Sequence, residues 1–404
     1  MTETRDVLIV GAGPAGSALG YHLARQGLDV LLVDKAEFPR DKTCGDGLTP
    51  RALGALRTMG LLEQVAAVGC RINGIHLYAP NGLRVASPIP PWGDLPDYLL
   101  VVQRYLFDDL VRRHAVAAGV EFRPRVEAVE VLRSGDQVIG ARARTPGGLV
   151  DLEARCTVLA TGATAGLLER AGLLAGPPLY GRAARGYYEG LGEIGDHVEF
   201  HLESVPLPGY GWVFPLSPTT ANVGAGYFPR RGQSARPTSP RQVLDEFLAN
   251  RIMARRVASA RVCGPIKGYP LRFDFPTARL AVPGLLVIGE AAGLVNPLTG
   301  EGIDYALESA ETAAEDVAHA LRHGLSAAQL AAAHTRAQRA RFQRTFLTIS
   351  RVRDFYFRPF LLNRAARAAN KHDDFRRTLM QVCLGNVDPA QGLSPRMMLE
   401  LALA

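Results

Sequence analysis

Residues 6–16, Asp-Val-Leu-Ile-Val-Gly-Ala-Gly-Pro-Ala-Gly, constrain the fold more than any other stretch. Val7 to Val10 is a short apolar run of the kind buried on both faces in a parallel sheet. Gly11, Gly13 and Gly16 follow as G-x-G-x-x-G, and Ser17 to Arg25 continues with helical periodicity. The first glycine makes the tight turn, the second lets the backbone approach a pyrophosphate, and the third lets helix and strand pack closely. The phosphates then face the positive end of the helix. A second apolar run, Val30 to Val33, ends in Asp34, near the offset of about 20 residues expected of an acid that holds a ribose hydroxyl. Gly190-Leu-Gly-Glu-Ile-Gly195 repeats the spacing, but His197 to Glu203 alternates with period two. A strand follows where a helix is needed, so that segment reads as a hairpin loop without a phosphate.

A chain of 404 residues has room for two or three domains. Its 47% hydrophobic content with 21% charged residues describes a soluble globular protein. No apolar stretch approaches the ~18 residues of a membrane span, and a strand begins within six residues, so neither a transmembrane helix nor a signal peptide is expected. The five cysteines are scattered without a C-x-x-C pair, and the nine histidines form no H-E-x-x-H. No metal site and no disulfide framework follow, which fits a cytoplasmic setting. The net charge is +7, and residues 341–404, with eleven Lys and Arg against five Asp and Glu, carry +6 of it. That basic tail suits solvated helix faces or contact with the inner face of a membrane. No nucleic-acid recognition motif accompanies it, so a nucleic-acid partner is not expected.

Along the chain, Thr49 and Pro50 mark the start of a helix reaching about Leu62, and Gln103 to Ala118 reads as another. Short strands are expected at 120–123, 126–132 and 137–145, and Cys156 to Ala163 as a buried strand broken at a glycine turn. Residues 176–279 change to short alternating segments, an antiparallel signature interrupted by one helix near 240–250. The nucleotide pattern returns at Leu285 to Ile288, followed by a long helix from Glu301 to about His323. The expected organisation is a discontinuous dinucleotide domain (1–72, 100–175, 280–340), a sheet domain (73–99, 176–279) and a helical region (341–404). Phe342, Phe346, Ile349, Val352 and Phe355 form one apolar stripe in that last region.

Gly289-Glu-Ala-Ala-Gly-Leu-Val-Asn-Pro-Leu-Thr-Gly-Glu-Gly-Ile-Asp304 reads as a second cradle for phosphate and ribitol. Together with Gly11–Gly16 and Ala160-Thr-Gly162, it resembles the FAD-binding fold of the aromatic hydroxylase and geranylgeranyl reductase superfamily. Arg40 to Ala52, Arg104 to Leu110, Gly209-Tyr-Gly-Trp-Val-Phe-Pro215 and Pro297 to Tyr305 narrow the resemblance to the geranylgeranyl reductase family, and within it to bacterial menaquinone-chain reductases. The resemblance spans roughly residues 5–320.

It implies an α/β, Rossmann-like three-layer FAD domain with an inserted antiparallel sheet domain and a C-terminal helical region. FAD would be held by Gly11, Gly13, Ala15, Gly16, Asp34, Lys35, Arg104, Glu290 and Gly300, with Val126 offering backbone to adenine. Cys44, Gly45, Gly47, Gly302 and Ile303 would line the flavin, and Tyr210, Trp212 and Phe214 the cavity beside it. The family usually has Asp where Glu290 stands. The implied reaction saturates isolated C=C bonds of a polyprenyl chain, with Cys44, Tyr210 and Trp212 as candidate catalytic residues and Cys44, Tyr210 or an ordered water as proton donor. NADPH or a ferredoxin would reduce the flavin. The alternatives are a flavin monooxygenase or a halogenase, and against the latter Tyr210 replaces the first Trp of the halogenase W-x-W-x-I-P stretch.

Overall fold

The computed structural model describes residues 4–174, 176–192, 194–230 and 239–404. One sheet runs in the order Ala281–Val282, Leu285–Val287, Gly148–Leu159, Arg5–Val10, Val30–Asp34, Glu121–Pro124, with Glu127–Ser134 and Gln137–Thr145 added antiparallel on Gly148–Leu159. Its central strands are parallel, and Val7 to Val10 and Val30 to Val33 are buried throughout. The helix Pro14–Ala24 has Pro at its first turn and packs on Arg104–Ala117 and Ile303–His323. This three-layer arrangement is the expected FAD-binding fold.

Thr49 caps the helix Pro50–Thr58, its side chain accepting from the Ala52 N–H. That helix ends short of Leu62, because Gly60 turns the chain at φ +71° before the separate helix Leu62–Ala66. Arg104–Ala117 lies between Gln103 and Ala118 as expected. The strand before Gly162 is longer than Cys156–Leu159 alone, since residues 148–155 extend it out to pair with Gln137–Thr145.

The second sheet has seven strands in the order Arg261–Arg272, Tyr180–Glu189, Thr220–Tyr227, Gly209–Pro215, His197–His201, Gly74–Tyr78, Arg84–Pro88. All neighbours are antiparallel except His197–His201 with Gly74–Tyr78, where the segment arriving from the first domain pairs parallel. The Gly190–Gly195 segment is a loop but not a hairpin. The strands on its two sides are separated by two others, and Glu193 lies outside the described residues. Two helices, Pro240–Leu248 and Arg251–Val257, stand where one was expected, because Asn250 restarts the helix by accepting from the Ile252 and Met253 N–H groups.

The C-terminal part is helical, but position 341 falls inside one continuous helix, Ala327–Tyr356, opened by a Ser326–Gln329 capping box. Of the apolar stripe, Phe342, Phe346 and Ile349 are buried, with both Phe rings packed against Phe275 and Tyr305. Each such ring stabilises the fold by roughly 2–3 kcal/mol. Val352 is half-buried and Phe355 exposed, so the stripe is mainly core of the FAD domain. The helices Pro359–Lys371, Asp373–Cys383 and Pro395–Leu403 instead pack on one another and beside the second sheet.

His334, on that long helix, is fully buried, and its Nε2–H donates to the Val287 carbonyl at 3.2 Å. Burial lowers its pKa to about 4. In the unfolded chain the imidazole takes a proton near the ordinary value of ~6.5, so its contribution to stability is whole above that pH and falls as pH drops towards 4. By pH 5 the loss is about 2 kcal/mol. Asp316, 3.8 Å from Nδ1 and raised to about 6 by burial, works in the opposite direction. The His334 share is therefore read by difference: His334→Gln should lose less stability than wild type between pH 7 and pH 5 in urea denaturation. Equal losses would show that the imidazole is not the titrating group.

Candidate cofactor and substrate site

A cavity of about 470 Å³ starts at the first Gly-rich turn, passes between the two sheets and ends against aromatic side chains of the second. At its phosphate end Gly11 has φ +108°, and a Cβ there would sit 2.4 Å from the Ala160 carbonyl oxygen. A Cβ on Gly16 would meet the Gly11 oxygen at 1.9 Å. Gly13, by contrast, has open space apart from Arg40 at 3.6 Å, as a position facing a pyrophosphate should. It is the N-cap of Pro14–Ala24 and provides no side-chain cap. Asp34 accepts from the Ala12 N–H through Oδ2 and the Ala36 N–H through Oδ1, both at 2.8 Å, so it braces the turn as well as lining the cavity. Ala15, Lys35 and Val126 also line it.

Residues 40–48 form the middle wall. Arg104 is buried and forked onto Asp108, which also accepts from Arg40 at 3.0 Å. Burial works against its charge, but Asp108 and the neighbouring Cys44 more than offset it and raise its pKa. Glu290 sits in a 3-10 turn after the strand Leu285–Val287 and accepts from Lys42 Nζ at 2.9 Å. Lys42 is stacked 4.6 Å over Tyr269, and its pKa is raised, Glu290 offsetting the burial. Glu290 thus reaches the cavity as expected, while its charge is matched by Lys42.

The sequence reading missed the residues that hold this wall. Asp46, in the left-handed conformation at φ +66°, is fully buried. Its Oδ2 accepts from Tyr187 Oη and Asn222 Nδ2, each at 2.8 Å. Asn222 also donates to the Cys44 carbonyl at 2.7 Å and accepts from Trp212 Nε1 at 2.9 Å. Buried Arg185 reaches Asp41 at 2.7 Å, and Lys267 reaches the same carboxylate at 2.6 Å. Burial opposes the Asp41 charge, yet these two cations hold its pKa below the usual value. The available signal was Asn222 as the lone amide in the strand Thr220–Tyr227.

At the far end, Gly300 at φ +73° and Gly302 as N-cap open the helix Ile303–His323, again without a side-chain cap. Asn296 holds the preceding turn, Oδ1 accepting from the Leu298 N–H at 2.9 Å. Tyr210 donates to the Thr299 carbonyl, and a Cβ on Gly300 would lie 2.9 Å from its hydroxyl. A Cβ on Gly45 would come within 3.1 Å of Phe214, and one on Gly47 within 3.3 Å. Every expected site residue therefore borders the same cavity except Gly16, whose place is structural. Two uncapped helix N-termini facing one elongated cavity suit a ligand with a pyrophosphate at one end and an electron-rich ring at the other, and FAD fits that description. Trp212 lines the cavity, and its N–H, donated to Asn222, ties the ring into the wall.

Replacing Asn222 by Ala leaves the Trp212 N–H, the Cys44 carbonyl and one oxygen of Asp46 short of a partner. Asn222→Ala should cost about 2–4 kcal/mol of stability and release FAD readily on gel filtration, measured by denaturation and by the flavin-to-protein absorbance ratio. Full FAD retention and unchanged stability would contradict the role given to this node.

Comparison with known proteins agrees with the geometry. The FAD binding domain family matches residues 4–174. Menaquinone reductase from Mycobacterium tuberculosis is 35% identical over 329 residues, covering 78% of this chain and 76% of that protein. Digeranylgeranylglycerophospholipid reductase from Methanothrix thermoacetophila is 30% identical over 324 residues, 79% of each chain. The crystal structure of a geranylgeranyl bacteriochlorophyll reductase-like protein from Thermoplasma acidophilum superposes with a TM-score of 0.77 at 24% identity, covering 99% of this chain and 96% of that one. Sequence identity sustained across both the cofactor and sheet domains makes this chain a member of the geranylgeranyl reductase family of FAD-dependent oxidoreductases.

Proposed function

We propose that this enzyme saturates isolated C=C bonds of a prenyl chain carried by a quinone or a glycerolipid. The observation that carries the reading is the apolar far end of the cavity, walled by Phe200, Tyr210, Trp212, Phe214 and Phe228, in a chain 35% identical to a menaquinone reductase. FAD, when bound and reduced, supplies the hydride. The chain has no carbonyl on the substrate to polarise, so its contribution is positioning and exclusion of water. The edge-to-face contacts of Phe200 with Tyr210 and with Phe214 stiffen the wall, and the Asn222 node fixes it against Gly45 and Gly47. Of the expected proton donors, Tyr210 is poorly suited: its hydroxyl is engaged with Thr299, and burial pushes its pKa up. Cys44 is a free, half-buried thiol beside Arg104.

Electrons come from outside, from NADPH or a ferredoxin, and rapid bleaching of the flavin by one of the two identifies the donor. Among the described residues no helix is long and apolar enough to cross a membrane. Access to a lipid-anchored chain is supported instead by the packed helices Pro359–Lys371 and Pro395–Leu403. They expose Phe360, Leu399 and Leu403 near Arg364 and Arg367, a composition suited to an anionic lipid surface. The triple variant Phe360→Ser, Leu399→Ser, Leu403→Ser should float with anionic vesicles at least several-fold less than wild type while keeping its FAD. Equal flotation would remove the docking surface from the reading.

The reaction itself is tested anaerobically. Dithionite-reduced enzyme given menaquinone or a geranylgeranyl lipid should reoxidise its flavin and add two mass units per double bond. Recovery of unaltered lipid, followed by an oxygen-dependent hydroxylated product from a phenol, would move the enzyme to the monooxygenases.

A further inference from the structure

Glu301 lies between Gly300 and Gly302, on the rim of the cavity where the wall aromatics meet the helix Ile303–His323. Its Oε2 is buried with no hydrogen-bond partner, and among the described residues no cation pairs with it. Around it, Arg51 projects from the helix Pro50–Thr58, and Asp304, Tyr305 and Glu308 from Ile303–His323. Cys383 faces it from Asp373–Cys383, and Tyr210 from the second sheet. Arg51 is the counter-charge, but it is already committed, at 3.4 Å to Asp304 and 2.7 Å to Glu308, with a further bond to the Gly385 carbonyl. Arg341 also pairs with Glu308, at 3.2 Å, so two guanidiniums serve Asp304 and Glu308 while Glu301 is left without one.

Two effects favour its ionised form: the residual field of Arg51 and the Thr299 side chain beside it. Burial and the neighbouring Asp304 oppose them and prevail, raising the Glu301 pKa well above its ordinary value. Burial therefore biases this unpartnered carboxyl group towards its protonated form, at the aromatic end of the cavity. Of the neighbouring groups, burial raises Tyr210 and pushes Cys383 up to about 12, and Asp304, raised as well, is paired with Arg51 at 3.4 Å.

Resting on the prenyl-reductase reading, we propose that Glu301 is the catalytic proton donor to the alkene. The π bond breaks and two C–H bonds form: the Glu301 O–H gives its proton to one carbon, and the hydride to the other would be supplied by bound, reduced FAD as the two-electron donor. The carboxylate left behind takes a proton from solvent before the next turnover. No thiol needs to ionise in this scheme, and Cys44 serves as part of the wall.

The test compares wild-type and Glu301→Gln holoenzymes. Infrared spectra at pH 7 should show a protonated-carboxyl band in wild type that shifts in deuterium oxide and is missing from the variant. In anaerobic single turnovers the pre-reduced variant should bind the prenyl quinone with similar affinity yet form product at least ~100-fold more slowly. Wild type in deuterium oxide should place one solvent deuterium in each saturated bond. Should Glu301→Gln lose FAD, Asp304→Asn decides: it frees Arg51 to act on Glu301, so the fall in rate with rising pH should move to lower pH. A variant within ~3-fold of wild type, a missing carboxyl band, or an unmoved pH profile would overturn the assignment while leaving alkene reduction in place. Wild type that saturates no double bond would overturn both.

Discussion

The two domains share one cavity because a buried amide bridges them. Asn222 belongs to the second sheet, while its partners Cys44 and Asp46 belong to the loop that leaves the FAD domain. Inside the protein each of these groups costs free energy unless it is paired. The loop therefore has one low-energy position against the sheet, and the strand pairing of Gly47–Leu48 with Leu99–Val101 holds its other side. Phe214 and Trp212 fall against Gly45 and Gly47 as a consequence. The floor of the cavity and its aromatic wall are thus set by the same few hydrogen bonds.

Charge is distributed along that cavity with a clear division. At the phosphate end, cations and carboxylates are matched: Arg104 and Arg40 on Asp108, Lys42 on Glu290, Arg185 and Lys267 on Asp41. These pairs are largely buried, so their value lies in orienting the loop more than in net stabilisation. At the opposite end the balance fails: Arg51 and Arg341 are spent on Asp304 and Glu308, and Glu301 has no cation paired with it among the described residues. A polyanionic cofactor suits the first environment, and a neutral carboxyl beside an apolar chain suits the second.

Much of the FAD domain was legible in the sequence because its signals are local. Gly11 and Gly16 cannot carry a side chain without striking the adjacent backbone, and Val7–Val10 and Val30–Val33 are short enough to declare a doubly covered strand. Gly300, Gly302 and Ile303 stand where the second glycine-rich turn predicted them, at the opening of a long helix. Local signals were also misleading. The stripe Phe342, Phe346, Ile349 read equally well as a membrane-facing surface, because periodicity reports that a face is buried but not against what. The Gly190–Gly195 turn read as a hairpin because adjacency in sequence does not determine which strands pair.

By itself, the sequence determined the cofactor fold, the glycine positions that admit a dinucleotide, and the aromatic character of the sheet facing it. Each of these follows from sterics or hydrophobic pattern within about 20 residues. Only the tertiary structure decided that Asp46 and Asn222 meet, that Trp212 spends its N–H on the wall, and that Glu301 is left without a counter-charge. Asp46 and Asn222 lie 176 positions apart, Asn222 reaches Trp212 from the next strand, and Arg51, spent on Asp304 and Glu308, is far from Glu301 in the chain. The charge state of a buried group depends on everything packed around it, and that neighbourhood does not exist until the chain has folded.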